Sequence, residues 1–228
     1  MTKVVLFDID GTLVLTGGAG VRAMTRAFEE LFAVSDAFLG IPMPGRTDAC
    51  ILSDAAAAHD VARHELTRFP DVYLAHLATE LEKPGPRKGI MPGVRPLLDS
   101  LAGRPDMYLA LLTGNYEDAA RVKLEYFDLW RYFRCGAFGD AAPDRNSLLP
   151  KALTEIRQCG GPEFGPADAV VVGDTPLDVA CAAAAGARSV AVATGGYDVD
   201  ALRSAGADVV LQDLSDAREV LRALQIAD

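Results

Sequence analysis

The sequence is poor in cysteine and histidine. Its four cysteines form no Cys-x-x-Cys pair, so neither a disulfide framework nor a thiolate zinc site is expected, and we interpret them as free, buried thiols. The three histidines include no pair four residues apart, which argues against a histidine metal site on one face of a helix. These absences exclude the common sites built from thiols and imidazoles.

Basic residues and long apolar stretches are also scarce. The chain has 22 lysines and arginines and 32 acidic residues, which gives a net charge of −10. We therefore expect no nucleic-acid partner. No uncharged apolar stretch approaches the ~18 residues of a membrane span, and the apolar run after Met1 meets Asp8 too early for a secretory leader. We therefore predict a cytoplasmic protein, a monomer or a homodimer, with no membrane partner. A small anionic metabolite stays possible because a local cation can override the global charge.

Short apolar runs alternate with helical segments along the 228 residues. Continuous apolar runs bounded by Gly, Asp or Thr predict buried parallel strands, here at 4–7, 107–112, 169–172, 189–193 and 209–211. Helix formers between them predict helices at 116–126, 148–158 and 177–185. Alternating strands and helices indicate an α/β fold, a doubly wound, Rossmann-like parallel sheet with helices on both faces.

The segment 16–87 has a different character. It contains no strong strand candidate, and helical patterns cover 21–32, 47–59 and 61–82. Glycines stand at its entrance and Pro-Gly-Pro at its exit, as expected of two linkers. We therefore predict an inserted all-helical cap subdomain at 16–87 and a catalytic core formed by 1–15 and 88–228.

Polar side chains follow three of the predicted strands. They are two carboxylates after the first strand, a hydroxyl and an amide after the second, and two carboxylates after the third: Asp8, Asp10, Thr113, Asn115, Asp174 and Asp178. The carboxyl ends of parallel strands meet at one edge of the sheet. Clustered carboxylates without histidine or thiol favour Mg²⁺. The free amides after Gly114 suit phosphate oxygens, and a carboxylate beside a metal can attack phosphorus.

Three motifs carry a family resemblance. Phe-Asp-Ile-Asp-Gly-Thr-Leu at 7–13 resembles the first motif of the haloacid dehalogenase superfamily, Leu-Thr-Gly-Asn at 112–115 resembles the second, and Val-Gly-Asp-Thr-Pro-Leu-Asp at 172–178 resembles the fourth. The resemblance covers essentially the whole chain. In the phosphoglycolate phosphatase-like and β-phosphoglucomutase-like branch, the helical insert is a mobile cap.

The resemblance implies roles for the residues of these motifs. Asp8 would be the nucleophile that becomes an aspartyl-phosphate, and Asp10 would be the general acid and then the base. Thr113 would hold the transferring phosphoryl group, and Gly114 and Asn115 would contact the substrate. Asp8, Asp174 and the main-chain carbonyl of Asp10 would hold Mg²⁺. Asp178 would lie among or beside the residues that surround these ligands. Such a site works by positioning and charge neutralisation.

The third motif of the family has no clear counterpart here. Relatives place a Lys or Arg there to tie the nucleophile to the phosphate, and many have Lys followed by Pro. We favour Arg145, which lies before a helix candidate at a suitable distance after Thr113. Lys151, six residues later, is the alternative.

The cap segment offers two arginines for substrate recognition. Arg46 lies in a Gly-bounded loop before a helix and could reach an anion of the substrate. Alternatively, this loop is a helix start capped by Thr47 or Asp48. Arg22 is the weaker candidate.

These features predict a Mg²⁺-dependent phosphatase that hydrolyses a small phosphomonoester metabolite. A phosphosugar mutase of the same fold and a non-catalytic phosphate-binding regulator are the alternatives. Dehalogenation is disfavoured because that branch lacks the second aspartate that Asp10 supplies. Phosphonate hydrolysis is disfavoured because the segment 16–82 contains no lysine to form the Schiff base of that branch.

Overall fold

The computed structural model describes residues 2–140, 142 and 144–226. The strands in these residues are β1 (Lys3–Phe7), β2 (Val14–Leu15), β3 (Gly89–Ile90), β4 (Met107–Leu112), β5 (Gly136–Ala137), β6 (Ala169–Gly173), β7 (Arg188–Val192) and β8 (Val209–Leu211). Six of them form one parallel sheet in the order β5–β4–β1–β6–β7–β8. Since β4 and β6 flank β1, the loops that follow these three strands are neighbours.

The helices are α1 (Ala19–Phe32), α2 (Asp48–Ala58), α3 (Phe69–Glu82), α4 (Val94–Ala102), α5 (Glu117–Tyr126), α6 (Leu148–Gln158), α7 (Pro176–Ala185), α8 (Val199–Ser204) and α9 (Ala217–Ala223). Short 3₁₀ helices lie at Arg63–Arg68, Trp130–Tyr132, Arg145–Ser147 and Pro166–Asp168. None of the helices in the described part of the chain is both long and apolar enough to cross a membrane.

Both faces of the sheet are buried, as the continuous apolar runs predict. Val5 and Phe7 of β1 pack in a cluster with side chains of α4, α5 and α9. The alternate residues Val4 and Leu6 pack in a second cluster with α6 and α7. This division follows from the two-residue period of a strand, and it confirms the predicted doubly wound architecture.

Residues 16–87, the helical insert, contain α1, α2, α3 and one 3₁₀ helix. These helices share an apolar cluster with aromatic residues at its centre, among them Phe28, Phe69 and Tyr73. The antiparallel pairing of Val14 with Ile90 and of Leu15 with Gly89 brings the two ends of the insert together. The insert therefore leaves and re-enters the core at one place. Its assignment as a separate cap subdomain stays a prediction.

The five predicted strands and three predicted core helices are confirmed within one residue at each end. The two-residue strands β2, β3 and β5 and the helices α4, α8 and α9 were not predicted. No disulfide joins the four cysteines, all of which the structure describes. The expectation that the thiols are buried was wrong except for Cys181. Cys159, for example, follows the last turn of α6 and is exposed.

Candidate active site

Three loops meet at the carboxyl edge of the sheet. Asp8 follows β1, Thr113 follows β4, and Asp174 follows β6, and all three side chains are buried. These residues are far apart in the sequence, but they lie close together in the fold because β1 lies between β4 and β6. This is the edge at which open parallel sheets bind ligands.

Asp8, Asp174 and Asp178 form a buried acidic cluster. Each offers a carboxylate oxygen, and these oxygens lie within 4.8 Å of one another. Thr12 Oγ1 also donates to Asp174 Oδ1 at 3.1 Å. The structure thus places Asp178 in the same cluster as Asp8 and Asp174, whereas the side chain of Asp10 is not part of it.

Electrostatics indicate that the acidic cluster is short of positive charge. Burial raises the pKa of Asp8 to about 6, although the nearby Arg145 opposes the rise. Burial and the neighbouring carboxylates of Asp178 and Asp8 raise the pKa of Asp174 well above its usual range. Carboxylates that are buried together need a cation or shared protons, and an all-oxygen set is the kind that Mg²⁺ prefers.

Two glycines make room for the carboxylate of Asp174. A Cβ atom at Gly11 would lie 2.4 Å from Asp174 Oδ2, and a Cβ atom at Gly195 would lie 1.7 Å from it. Since real Cβ contacts are essentially never shorter than 3.0 Å, a side chain at either position would displace the carboxylate. Sequence reasoning missed Gly195 as a site residue, although it lies in the loop that follows β7 on the same sheet edge.

Arg145 is the cation beside the nucleophile candidate. It is buried, its Nη2 lies 3.0 Å from Asp8 Oδ1, and the same atom also contacts Asp178 Oδ1. Burial alone would lower the pKa of Arg145, but the attraction of Asp178 and Asp8 outweighs burial and raises it. The alternative, Lys151, instead donates to the carbonyl of Phe138 at 3.4 Å. The geometry favours Arg145 over Lys151 for the third motif.

One N–H group of Arg145 is unpaired within the described part of the chain. Its Nε atom is buried and donates no hydrogen bond to any residue that the structure describes. Its Nη1 donates to the carbonyl of Gly45 in the helical insert at 3.0 Å. Because buried donors are nearly always satisfied, the free N–H is suited to a ligand oxygen.

Thr113, Asn115 and Asp10 are joined by hydrogen bonds. Asn115 Nδ2 donates to Thr113 Oγ1 at 2.8 Å and to Asp10 Oδ2 at 2.9 Å. The Thr113 hydroxyl accepts this bond, so its own proton stays available for a ligand. The side chain of Asn115 therefore connects the two loops. Asn115 also lines the cavity beside Asp8, and its contact with substrate stays a prediction.

A lysine that sequence reasoning missed completes this group. Lys123 Nζ lies 2.7 Å from Asp10 Oδ2 and 2.5 Å from Asn115 Oδ1. Lys123 occupies a buried position of α5, among Ala119, Ala120 and Leu124. A lysine on the apolar face of an amphipathic helix is the signal that could have revealed it.

The helical insert contacts the core through the loop before α2. The backbone N–H of Asp48 donates to the carbonyl of Gly114 at 2.7 Å, and a Cβ atom at Gly114 would lie 2.1 Å from the carbonyl oxygen of Arg46. The N–H of Tyr116 donates to Asp48 Oδ2 at 3.0 Å. Burial raises the pKa of Asp48 to about 7. Gly114 therefore lets the insert approach the core closely, because a side chain at this position would collide with the backbone of Arg46.

The two arginines of the insert occupy different places. Arg46 lines the cavity beside Asp8, but its guanidinium pairs with Asp54 at 2.7 Å. Arg22 pairs with the buried Glu80 at 2.7 Å and is not among the residues that line this cavity. Thr47 caps α2 by accepting from the N–H of Cys50 at 3.2 Å. The capping alternative is thus correct for Thr47, and it is compatible with Arg46 at the cavity.

A cavity of about 290 Å³ lies between the sheet edge and the insert. Its core side carries the charged groups already described, with Asp8, Asp10, Lys123, Arg145 and Asp174 among them. Its insert side is mainly apolar, with Val21, Met24, Met43, Ile51 and Tyr73. The site combines a highly charged floor with an apolar roof, and its volume suits a small molecule.

The parallel sheet and the buried aspartates at its carboxyl edge define the general class: an α/β protein with a carboxylate-lined site at the edge of its sheet. A model of the haloacid dehalogenase-like hydrolases matches residues 2–186. The chain belongs to that family.

Individual relatives narrow the class of reaction. A phosphoglycolate phosphatase of Rhodospirillum rubrum is 34% identical over 94% of this chain and 89% of its own length. Phosphoglycolate phosphatase 1 of Pseudomonas aeruginosa is 32% identical over 87% and 71%. The crystal structure of CbbY from Rhodobacter sphaeroides in complex with phosphate has a TM-score of 0.72, covers 99% of this chain and 100% of its own, and is 20% identical. The protein is a phosphoric monoester hydrolase of this family.

Proposed function

We propose that this enzyme is a Mg²⁺-dependent phosphatase that hydrolyses a small phosphomonoester through a phosphorylated Asp8. The observation that carries the proposal is the juxtaposition of Asp8 and Arg145. A buried carboxylate lies 3.0 Å from a buried guanidinium whose Nε has no partner among the described residues. This pair combines a nucleophile with a donor for the oxygens of a phosphoryl group.

The acidic cluster supports a magnesium site. Asp8 and Asp174, with the main-chain carbonyl of Asp10, would hold the ion, and Asp178 would lie beside it. The raised pKa values of Asp8 and Asp174 fit carboxylates that need a further cation. When bound, Mg²⁺ supplies positive charge to the phosphoryl oxygens and keeps Asp8 ionised.

The first half of the reaction transfers the phosphoryl group to the protein. An oxygen of Asp8 attacks phosphorus, and the bond between phosphorus and the ester oxygen breaks. Asp10 gives its proton to that oxygen, so the leaving group departs as an alcohol. Arg145 and the hydroxyl of Thr113 donate hydrogen bonds to the phosphoryl oxygens and hold them in line.

The second half restores the enzyme. Asp10, now ionised, takes a proton from water as the water oxygen attacks phosphorus. The bond between Asp8 and phosphorus breaks, and inorganic phosphate leaves. Asp10 has then regained its proton and Asp8 is a free carboxylate, so the cycle balances.

Phosphoglycolate is the first substrate that we propose to test. Two relatives at least 32% identical carry the name phosphoglycolate phosphatase, and the cavity of about 290 Å³ suits a small molecule. Arg46 lines this cavity, and release of its exposed partner Asp54 would free its guanidinium for the carboxylate of such a substrate.

The test measures release of inorganic phosphate from p-nitrophenyl phosphate and from phosphoglycolate, with and without Mg²⁺, for the wild type and for Asp8→Asn. We expect Mg²⁺-dependent release that the substitution abolishes while the circular dichroism spectrum stays unchanged. Release that persists in Asp8→Asn would refute the mechanism. Transfer of phosphate between positions of a sugar phosphate, without release, would indicate the mutase instead.

A further inference from the structure

We propose that Lys123 is a positioning residue for Asp10, the proton donor of the first half-reaction. This inference rests on the proposed function. Lys123 comes from α5, 113 residues after its carboxylate partner. Its side chain is buried, whereas the side chain of Asp10 is 41% exposed at the cavity.

The contacts of Lys123 leave Asp10 one defined orientation. Lys123 Nζ at 2.7 Å and Asn115 Nδ2 at 2.9 Å both donate to Oδ2 of Asp10. Oδ1 has no hydrogen-bond partner among the residues that the structure describes. Two donors on one carboxyl oxygen fix the plane of the group and direct the other oxygen to the cavity.

The ammonium group is itself held from several sides. Lys123 Nζ donates to Asn115 Oδ1 at 2.5 Å, and Asn115 is in turn bonded to Thr113 Oγ1 at 2.8 Å. A Cβ atom at Gly20 of α1 would lie 3.5 Å from Nζ and 3.7 Å from the hydroxyl of Tyr73, so the insert closes over the lysine. A buried ammonium is costly without such partners.

Substrates with different leaving groups can distinguish a positioning role of Lys123 from a purely structural one. A nitrophenolate departs without a proton, whereas an alkoxide needs one from Asp10. The ratio kcat/KM covers only the steps up to phosphoryl transfer. Misplacing the acid therefore lowers kcat/KM for alkyl phosphates and spares p-nitrophenyl phosphate.

The experiment compares the wild type, Lys123→Met and a control, Arg121→Met, which removes an exposed charge from the same helix. The substrates are p-nitrophenyl phosphate, phosphoglycolate and n-propyl phosphate. We expect Lys123→Met to lower kcat/KM about 10²-fold for both alkyl phosphates and less than about threefold for the aryl phosphate. We expect Arg121→Met to change none of the three values.

The ratio of alkyl to aryl kcat/KM is insensitive to partial unfolding, which lowers both values equally. If Lys123→Met does not fold, Lys123→Gln can replace it, because the Gln side chain keeps a hydrogen-bond donor. This variant should show the same selective decrease of kcat/KM for the alkyl phosphates, but a smaller one. Equal losses on all substrates would overturn the inference while the proposed function stands. A loss confined to phosphoglycolate would also overturn it, because Lys123 would then bind the substrate carboxylate. A wild type inactive on all three substrates would refute both proposals.

Discussion

A single methyl group at Gly195 should disable the proposed metal site. The Cβ atom of Gly195→Ala would lie 1.7 Å from Asp174 Oδ2 and 2.6 Å from its Cγ. To reach the shortest real separation of 3.0 Å, the carboxylate must move by about 1.3 Å. A Cβ atom at Gly11 would also lie 2.4 Å from Oδ2, so the room around this oxygen is limited by both glycine loops.

The size of the effect follows from this displacement. A misplacement of about 1 Å in a catalytic site costs about 10²-fold in rate, equivalent to about 2.7 kcal/mol of transition-state stabilisation. We therefore expect kcat/KM of Gly195→Ala to fall about 10²-fold, and the Mg²⁺ concentration for half-maximal activity to rise.

The adjacent residue provides a matched control. A Cβ atom at Gly196 would have nothing within 4 Å, and neither glycine has a φ in the left-handed region. The assay is p-nitrophenyl phosphate hydrolysis across a Mg²⁺ titration, with thermal unfolding measured for both variants. Gly195→Ala should lose activity while Gly196→Ala matches the wild type. Equal activity of the two variants at every Mg²⁺ concentration would refute the assignment of Asp174 to the metal.

Three further predictions concern charge in the same region. The folded state raises the pKa of Asp48 to about 7 and so keeps a proton that the unfolded chain loses near pH 4. The unfolding free energy of the wild type should therefore fall between pH 4.5 and 7.5 by a few kcal/mol more than that of Asp48→Asn, as measured by urea denaturation; parallel pH curves would contradict this. Arg145→Ala leaves Asp8 and Asp178 without their guanidinium, and should cost about 3–5 kcal/mol of unfolding free energy, with a smaller loss for Arg145→Lys. Removal of divalent ions by EDTA should abolish phosphate release, and added Mg²⁺ should restore it; activity that survives dialysis against the chelator would argue against a metal.

Much of the fold could be predicted from the sequence because buried parallel strands have a local signature. The apolar runs at β1, β4, β6, β7 and β8 stop at polar or glycine residues, and that contrast is visible without any tertiary information. The strand β5 was missed because two residues, Gly136–Ala137, carry no pattern. The helices α8 and α9, with six and seven residues, are too short to show a clear period.

The candidate site could be predicted only in part. Asp8, Thr113 and Asp174 directly follow strands, so the rule that strand ends share an edge was enough to bring them together. The choice between Arg145 and Lys151 depended on the 3₁₀ helix before α6, which orients Arg145 toward Asp8. The sequence ranked Arg46 above Arg22 although both stand near glycines at a helix start, and the structure agrees in that Arg46 lines the cavity and Arg22 does not.

By itself, the sequence determined the parallel sheet, the insertion point of the helices and the edge at which the carboxylates gather. These properties depend on short-range periodicity and on where apolar runs end. Only the tertiary structure decided which groups touch: Lys123 with Asp10, Arg145 with Asp178, and the bare backbone of Gly195 against Asp174. These contacts join residues that are 21 to 113 positions apart. These contacts form because one element packs against another, and no local sequence pattern indicates which side chains will meet.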